Sequence, residues 1–564
     1  MPAKRSSIHF NIGMLVITGY IFFTPVIAQK THCKFSVAPS VSLVNGHTNG
    51  SMVRPGDTIC LQAGQKSFLL LSYLHGTKNS PIVIINSEGQ VLITNSPNYG
   101  IKFDSCSYIK LSGKGSANPE FGIKVEVVPG SGLSVDGLST NIEIEGVEIG
   151  YTGFSGLVAK TDPDCSFTST RDKFILRDLK IHDNFIHHTN NEGLYIGSSK
   201  YKNGQTLNCN GRDTILFPHL LKGVRVYNNR LEFTGWDGIQ VSSADSACFI
   251  HDNLVLFDSE GEQEYQMSGI IIGGGTNAEC YNNIIKDGKG DGIEIVSLGL
   301  QKVYNNLIVN PGRTYKINQN YTPYLKHGIY VGPDYQSPSN SYLLVNNTII
   351  SPKSFGIKFV DAISTNNLIA NTIIINPGSY PMIGEDAYIN LISSAIDIKI
   401  LNNIKNRDFA TIDFVDPGED NFDLKASSPA VNKGLLIDGF LLNFDILSRL
   451  RPFASVFDIG AYECQDSSLL DIDEFRGADL IIGNLFPNPF NEKTYLNYSL
   501  RKQSFTEIGI FNPQGEKVME IFHSVQPAGK YNFTIEKGYL RAGLYILSLK
   551  TGDVTLIIKL ILLN

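Results

Sequence analysis

The sequence predicts an all-β protein, in which a right-handed parallel β-helix is followed by a small antiparallel β-sandwich. Three observations lead to this prediction: a strand-and-turn unit that repeats through the middle of the chain, a glycine count of 53, and a C-terminal segment with evenly spaced turn signals. A chain of 564 residues is too long for one ordinary compact core. An elongated repeat domain with a second unit accounts for that length.

The repeated unit consists of an alternating strand, an Asn-Asn or Asp-Asn pair, a short apolar strand, a polar turn and a glycine that starts a third strand. Its shortest copy runs from Ser268 to Asp291, a spacing of 23 residues that fits three short strands and three turns. Such a unit cannot bury its own apolar face, so successive units must stack. The copies begin at Leu179, Val224, Cys248, Glu279, Gln301, Ser341 and Ile398.

Two columns of the aligned repeat predict which side chains stack from coil to coil. The second asparagine of each pair predicts a ladder, because an amide can bond to the coils above and below. The ladder members are Asn229, Asn253, Asn283, Asn306 and Asn347. The column three residues earlier is otherwise apolar, so Cys280, which belongs to it, is predicted to be a core thiol.

The N-terminus reads as a secretory signal peptide over residues 1–28. Lys4 and Arg5 precede a mostly apolar run at 14–27, and small residues around Ala28 suit cleavage. A retained membrane anchor is the alternative, but the apolar run is short and interrupted by glycine and proline. No other segment approaches the length of a transmembrane helix.

Charge and cysteine spacing exclude two functional classes. The net charge is −7 and no basic run stands out, so a nucleic-acid partner is not predicted. No C-x-x-C spacing occurs, which argues against a zinc site. Export permits disulfides, and the pairs Cys33–Cys60 and Cys165–Cys209 are predicted because their members lie in irregular segments near one another.

Residues 29–465 form the predicted β-helix. The entry segment RPGDTICLQAG at 54–64 and the exit segments NFDLKASSPAVNKG at 421–434 and RPFASVFDIGAYE at 451–463 carry a resemblance. They resemble the first and last coils of secreted parallel β-helix proteins, which include polysaccharide lyases and pectin-processing enzymes. The resemblance implies this architecture and an extracellular polysaccharide as the partner.

After a linker at 466–483, residues 484–564 predict the small β-sandwich. The motifs LFPNPF at 485–490, FNPQGEKV at 511–518 and RAGLYILSLKTGD at 541–553 resemble the C-terminal sorting domain read by the type IX secretion system of Bacteroidota. The chain has a single basic residue near its end, Lys559, where many members carry two. The resemblance implies the type IX secretion machinery as a partner, with release or surface attachment after export. A carbohydrate-binding or adhesive sandwich is the alternative.

The candidate catalytic residues stand immediately before the repeated glycine. They are Glu192, Asp237, Asp291 and His327, with Ser268 and Phe355 at the same position of other copies. If the register holds, Glu192 and Asp237 are neighbours, whereas Asp237 and Asp291 lie two coils or roughly 9–10 Å apart. The alternative is a structural one, since Asp before Gly is the commonest turn dipeptide.

Aromatic residues beside this column are candidates for substrate binding, because aromatic faces suit sugar rings. They come from the column itself and from excursions after Glu192 and before His327: Trp236, Tyr201, Tyr315, Tyr321 and Tyr324. Three further histidines, His182, His187 and His188, precede Glu192 and either extend the site or form a ladder.

The predicted function is cleavage of an extracellular polysaccharide, with an acidic glycan favoured. A carboxyl pair sharing a proton suits glycoside hydrolysis, whereas a tighter acidic cluster would suit Ca²⁺ in a lyase reaction. His327 is a candidate general acid or base in either reaction. A non-catalytic glycan-binding or adhesive surface protein is the competing prediction, and an acidic column flanked by aromatic loops favours the enzyme.

Overall fold

The computed structural model describes residues 33–313, 325–378, 387–437, 440, 442–453, 456–466, 469, 480–486, 488, 490–512, 516–541, 543–552 and 554–562. The predicted signal peptide lies outside these residues. The chain divides into two compact units, of which the first comprises residues up to 344 together with 349–368 and 376–399. The second comprises 345–348, 369–375 and 400–564.

The first unit is a right-handed parallel β-helix, as the repeat predicts. Each coil contributes short strands to the same faces, and each strand pairs in parallel with its counterpart in the next coil. Leu194 pairs with Ile239, which pairs with Ile270 of the following coil. This stacking satisfies the backbone hydrogen bonds of the strands, most of which are only three to six residues long and too short to be stable alone.

One face of the first unit is a twelve-stranded parallel sheet, called here the groove sheet. Its strands are Leu43–Asn45, Leu69–Ser72, Ile101–Asp104, Leu133–Asp136, Leu157–Ala159, Leu194–Ile196, Ile239–Val241, Ser268–Ile272, Asp291–Ile295, Ile329–Val331, Ile357–Phe359 and Ile389–Leu391. In three of its central strands, Leu194–Ile196, Ile329–Val331 and Ile357–Phe359, the first and third residues are buried apolar side chains and the middle residue points outward.

The other two faces of the coils lie before and after the asparagine pair. Strands before the pair are Phe35–Val37, Thr58–Lys66, Ile82–Thr94, Ser107–Ser112, Thr140–Glu145, Lys180–His182, Arg225–Tyr227, Cys248–His251, Ala278–Tyr281, Leu300–Tyr304, Ser341–Val345, Asn367–Ala370 and Ile398–Leu401. Strands after it are Ile123–Val128, Val147–Thr152, Phe185–Thr189, Arg230–Thr234, Leu254–Leu256, Ile284–Lys286, Leu307–Val309, Thr348–Ile350, Ile373–Ile375 and Ile404–Asn406.

The asparagine ladder is confirmed, and the two residues of each Asn-Asn or Asp-Asn pair have different roles. The Nδ2 group of Asn229 donates to Oδ1 of Asn253 at 3.0 Å, and Asn253 donates in turn to Asn283 at 2.9 Å. The preceding residue supplies the turn instead, since Asn228 has a φ of 53° and Asp252 one of 54°. The left-handed backbone therefore belongs to the first residue of the pair, and the amide ladder belongs to the second.

The core column of the repeat is also confirmed. Val226 pairs with Ile250, Ile250 with Cys280, and Cys280 with Val303. All four side chains are fully buried. Cys280 is therefore a core thiol, as its column predicts, and burial raises its pKa.

Both predicted disulfides are present in the structure. Cys33 is bonded to Cys60, and Cys165 is bonded to Cys209. The second disulfide ties an excursion to the hairpin formed by Gln205–Cys209 and Arg212–Leu216. A three-stranded parallel sheet of Ile175–Arg177, Leu220–Lys222 and Ala244–Ser246 accompanies this excursion. The excursion is therefore an ordered part of the first unit.

The second unit contains an antiparallel β-sandwich in the segment predicted to be one. Its two sheets contain Leu480–Phe486, Lys493–Leu500 and Gly529–Glu536, and Lys517–Gln526, Ser504–Phe511, Gly543–Thr551 and Val554–Leu562. Apolar residues from both sheets form its core, among them Leu496, Ile508 and Leu547. The unit also contains Phe414–Asp416, Asn421–Leu424 and the 3₁₀ turns Phe409–Thr411 and Pro417–Glu419.

No helix in the described part of the chain is long and apolar enough to cross a membrane.

Candidate functional site

The predicted acidic column exists as a geometric feature of the groove sheet. Its members stand two residues before the first aligned isoleucine or leucine of successive strands, and Ser268 pairs directly with Asp291. Asp237 is accordingly one coil from Glu192 and two coils from Asp291. The structure thus brings Glu192, Asp237, Asp291 and His327 into one column, but their environments differ.

Asp237 has the least satisfied carboxyl group of the column. Its side chain is fully buried, and neither oxygen has a hydrogen-bond partner among the described residues. Burial raises the pKa of Asp237 well above its ordinary value, and the nearby Glu294 and Glu192 raise it further. A buried, unpaired carboxylate is costly, so Asp237 is held as the neutral acid at neutral pH.

Asp291, in contrast, is fully engaged in hydrogen bonds. Lys326 Nζ donates to Oδ2 at 2.9 Å, and the backbone N–H of His327 donates to Oδ1 at 2.5 Å. Burial acts to lower the pKa of Lys326, but Asp291 and then Glu294 outweigh it and raise that pKa. Asp291 and Lys326 therefore form a nearly buried ion pair, in which Asp291 positions the lysine and is not a free base.

His327 is held as a neutral imidazole. Its Nδ1 atom accepts a hydrogen bond from the backbone N–H of Phe355 at 3.3 Å, which leaves the ring proton on Nε2. Burial lowers the pKa of His327 to about 4. The ring is a hydrogen-bond donor through Nε2, and it carries no charge near neutral pH.

Glu192 is tied to the neighbouring coil on the side away from Asp237. The hydroxyl of Ser155 donates to its Oε2 at 2.6 Å. Burial raises the pKa of Glu192, while this hydrogen bond opposes the shift. Glu192 therefore adds a carboxyl beneath the surface and contributes to the raised pKa of Asp237.

The sequence reasoning missed Glu294, which is the outward-facing fourth residue of the strand Asp291–Ile295. Ser268 Oγ donates to its Oε2 at 2.6 Å, and the residue is half-buried. Burial raises the pKa of Glu294 to about 7, with Lys326 opposing the shift and Asp291 reinforcing it. The signal was present in the alternation of the strand DGIEI, where the fourth residue points away from the core.

Glu294 lines a groove of about 320 Å³ on the outer face of the groove sheet. Asp334 lines the same groove and raises the pKa of Glu294 further. The lining is polar and aromatic, and includes Lys202, Gln240, Tyr265, Gln266, Asp334 and Tyr335. Two amide oxygens, Oε1 of Gln240 and Oε1 of Gln266, are buried without a hydrogen-bond partner among the described residues. Both oxygens are therefore under-satisfied acceptors beneath the groove surface.

The glycine-rich stretch at 273–275 makes room for two tyrosine rings beside the coil. A Cβ atom on Gly274 would lie 2.2 Å from the hydroxyl of Tyr335, and one on Gly275 would lie 2.2 Å from the ring of Tyr201. Both rings therefore pack directly on the backbone of the coil. Tyr335 lines the groove, whereas Tyr201 lies against the guanidinium of Arg171 at 4.1 Å from its ring centroid.

The remaining predicted aromatic residues are placed as follows. Trp236 is half-buried, and its backbone carbonyl accepts a hydrogen bond from Thr234 Oγ1 at 2.9 Å. It is not among the described residues that line the groove. Tyr315, Tyr321 and Tyr324 lie outside the described residues, so their role in substrate binding stays a prediction.

A second buried carboxyl missed by the sequence reasoning is Asp258. Ser259 Oγ donates to its Oδ1 at 2.8 Å, and burial raises its pKa to about 6. It continues the stack of Thr189 and Thr234 in the preceding coils. The Asp258 carboxyl also contributes to the raised pKa of Asp237.

The described residues contain two groups of three side chains close enough to share a metal ion, and neither belongs to the acidic column. One is Glu143, Glu145 and His182, and the other is Glu507, Glu520 and His523. Lysines already neutralise the first group, with Lys110 Nζ 2.6 Å from Glu143 and 2.9 Å from Glu145. The prediction of Ca²⁺ at the column gains no support from this geometry.

A larger cavity, of about 630 Å³, has no member of the acidic column in its lining. Its charged residues are paired with one another or with neighbours, for example Lys114 with Asp183 at 2.9 Å and Glu148 with Lys124 at 3.0 Å. The groove beside Glu294 is the better candidate for chemistry, because its carboxyl groups are under-satisfied.

Comparisons with known proteins agree with both units. Residues 484–563 match the secretion system C-terminal sorting domain. The chain therefore carries a type IX sorting domain, which directs it to the cell surface or to secretion through the type IX machinery. The comparison with curated proteins gave no match.

Solved structures similar to the chain are parallel β-helix proteins. The pectate lyase Pel9A is 13% identical over 76% of this chain and 96% of its own, with a TM-score of 0.40. A GH136 lacto-N-biosidase from Eubacterium ramulus is 11% identical over 67% of each chain, with a TM-score of 0.37. A GH87 alpha-1,3-glucanase from Streptomyces thermodiastaticus is 17% identical over 63% of each chain, with a TM-score of 0.33.

Proposed function

We propose that this protein is an exported glycoside hydrolase, which cleaves an extracellular polysaccharide in the groove beside Glu294. The observation that carries the proposal is a half-buried carboxyl group with a pKa of about 7 that faces a polar groove shared with a second carboxyl, Asp334. Two carboxyl groups in different environments are the basic requirement for acid–base cleavage of a glycosidic bond.

Glu294 acts as the general acid in this proposal. Its proton passes to the glycosidic oxygen as the bond between that oxygen and the anomeric carbon breaks. Asp334 accepts a proton from the water that attacks the anomeric carbon, so that water is consumed and two sugar ends are formed. Ser268 and Lys326 hold the acid in place, since Ser268 bonds to its carboxyl group and Lys326 anchors the neighbouring Asp291.

Burial raises the pKa of Glu294, and the carboxyl groups of Asp291 and Asp334 raise it further. Glu294 in turn raises the pKa of Asp237. Asp237 is not accessible to a sugar, because its side chain is fully buried. We therefore do not assign it the direct catalytic role that its place in the column predicts.

The groove's charges favour a neutral sugar at the cleavage position over the acidic glycan that the sequence suggests. Asp334 is exposed in the groove, and Lys202 is the cationic side chain in its lining. A uronate placed there would meet Asp334 and, above pH 7, an ionised Glu294. Hydroxyl groups would instead meet a polar lining that includes Gln240, Gln266 and Tyr335.

The test is a panel of neutral and uronate-containing polysaccharides incubated with the exported protein and with Glu294→Gln. We expect new reducing ends from a neutral glycan, and a loss of about 10²–10⁴-fold in kcat for Glu294→Gln. The matched control is Glu279→Gln, since Glu279 is an outward carboxyl that pairs with Lys302 at 2.8 Å on another face. It should keep the wild-type rate.

Other outcomes would overturn the proposal in distinct ways. Ultraviolet absorbance of an unsaturated uronate would indicate a lyase. Binding of a glycan without any product would favour the non-catalytic surface protein. Equal losses in Glu294→Gln and Glu279→Gln would show that the groove is not the site.

The pH dependence of the reaction follows from the same carboxyl. A general acid must carry its proton, so kcat/KM should fall about tenfold per pH unit above the pKa of about 7. A rate that rises through this range would show that Glu294 acts only as a base.

A further inference from the structure

Two adjacent histidines face each other on the outer surface of another part of the first unit. His187 and His188 are the third and fourth residues of the strand Phe185–Thr189, and their Nδ1 atoms are 3.0 Å apart. Neighbouring side chains of an extended strand point to opposite sides. His188 has a φ of 50°, which breaks this alternation and turns its ring toward that of His187.

The backbone of the preceding coil makes room for one of the rings. Gly150 pairs with His187, and a Cβ atom at Gly150 would lie 2.3–2.9 Å from three atoms of the imidazole. Any other residue at 150 would displace the ring. His187 is buried against this glycine, whereas His188 is exposed, so the space between the two nitrogens is open from one side.

A carboxylate orients the buried ring. Nε2 of His187 lies 3.4 Å from Oε1 of Glu148, and Lys124 Nζ holds the same oxygen at 3.0 Å. A ring that donates through Nε2 to a carboxylate presents its Nδ1 lone pair, which is the usual arrangement behind a metal-binding histidine.

We propose that His187 and His188 bind a divalent transition-metal ion through their two Nδ1 atoms, with Cu²⁺ held most tightly. Metal–nitrogen bonds of about 2.0–2.1 Å at angles between 90° and 109° place two ligand nitrogens about 2.9–3.3 Å apart, which includes the observed separation. Imidazole ligands at a right angle suit Cu²⁺, which also ranks highest among the divalent first-row ions.

Metal binding requires a change of tautomer and a rotation of the rings that turns both Nδ1 lone pairs toward the ion. Without metal, one Nδ1–H donates to the other Nδ1 atom across the 3.0 Å contact. With metal, each ring carries its proton on Nε2 and both Nδ1 lone pairs face the ion.

The test compares the full chain with His188→Phe. Phenylalanine suits this position because the same turn carries Tyr151 and Phe233 in the adjacent coils, whose rings stack on His188 at 4.9 Å on both sides. The matched control is His251→Phe, since His251 is stacked between Tyr227 and Tyr281. Equilibrium dialysis against Cu²⁺ at pH 7.5 measures binding, and electron paramagnetic resonance identifies nitrogen ligands.

We expect His188→Phe to bind one Cu²⁺ fewer than the wild-type chain and to lose the signal of the two-imidazole site. His251→Phe should match the wild type, and Glu148→Gln should weaken binding by about 10–100-fold. The proposal is overturned if His188→Phe keeps the wild-type stoichiometry, if the wild-type chain binds no Cu²⁺ at 100-fold molar excess, or if His251→Phe loses the same equivalent.

Discussion

Two charged clusters on outer faces of the same β-helix differ in how well their charges are satisfied. In the first, called here the paired cluster, Glu143 is 2.6 Å from Lys110 and 2.8 Å from Lys180. In the second, beside the groove, Asp237 has no hydrogen-bond partner among the described residues, and Glu294 shares its surroundings with other carboxyl groups. The paired cluster has more ion pairs, whereas the groove cluster contains Glu294, the residue that we propose as the general acid.

The pKa values of the two clusters shift in opposite directions. Hydrogen bonds from His182 and from the lysines lower the pKa of Glu143, whereas burial raises that of Glu294 to about 7. A lowered carboxyl pKa stabilises the folded state, and a raised one costs stability at neutral pH. Charge density alone therefore does not locate a functional site on this surface.

The largest expected effect on stability comes from removing the lysine of the groove cluster. Lys326→Met leaves Asp291 as a buried charge without its partner, and should lower the free energy of unfolding by about 3–5 kcal/mol. Lys110→Met in the paired cluster should cost about 1 kcal/mol at most, because Lys110 is about one-third exposed. Urea unfolding of both variants measures the difference. Equal losses in the free energy of unfolding would contradict the difference in burial between the two clusters.

An intermediate effect is expected from neutralising one carboxyl in each cluster, with opposite dependence on pH. Asp237→Asn should be more stable than the wild type by about 1–3 kcal/mol at pH 8, because it removes a buried group that resists ionisation. This gain should vanish below the ordinary pKa of 3.8, where the wild-type carboxyl is protonated in both states.

Glu143→Gln should show the reverse behaviour. The ionised Glu143 stabilises the folded state above its ordinary pKa of 4.5, so the variant should lose about 1 kcal/mol at pH 7. The loss should shrink as the pH falls through 4.5 and below. Thermal unfolding of both variants between pH 3 and pH 8 measures the two trends. Parallel trends would contradict the assigned directions of the pKa shifts.

The smallest expected effect concerns the aromatic lining of the groove. Gly274→Ala places a methyl group against the hydroxyl of Tyr335, and should raise KM for the cleaved glycan several-fold with little change in kcat. Gly418→Ala is the control, because the nearest atom to its added Cβ lies 3.5 Å away. Steady-state kinetics of both variants provide the measurement. An unchanged KM in Gly274→Ala would show that Tyr335 does not contribute to substrate binding.

Much of the architecture could be predicted from local patterns. The ladder of Asn229, Asn253 and Asn283 and the core position of Cys280 both follow from a repeat of strands and turns, because stacked coils force equivalent residues into one column. The acidic column was located in the same way. The protonation and the contacts of its members could not be predicted in this way, because Asp237 and Asp291 share a sequence context but have different partners.

The residues that distinguish these two aspartates come from elsewhere in the chain. Lys326 reaches Asp291 from the next coil, and Glu294 lies three residues beyond Asp291 on the outer face. The roles of Tyr201 and Tyr335 depend on Gly274 and Gly275, which the sequence presents only as a glycine-rich run. Such contacts depend on how excursions fold back on the coils, and no periodic pattern encodes them.

The sequence by itself determined the parallel β-helix, its ladder, its disulfides and the sorting domain that directs export. The β-helix and its ladder follow from periodic spacing, because short strands must stack to satisfy their backbone hydrogen bonds. The sorting domain follows from short motifs, and the disulfides follow from cysteines that lie in irregular segments near one another. Only the tertiary structure decided that Asp237 is a buried neutral acid, that Asp291 is paired, and that Glu294 faces the groove. Protonation and access depend on burial and on neighbours in other coils, and both are set by packing in three dimensions.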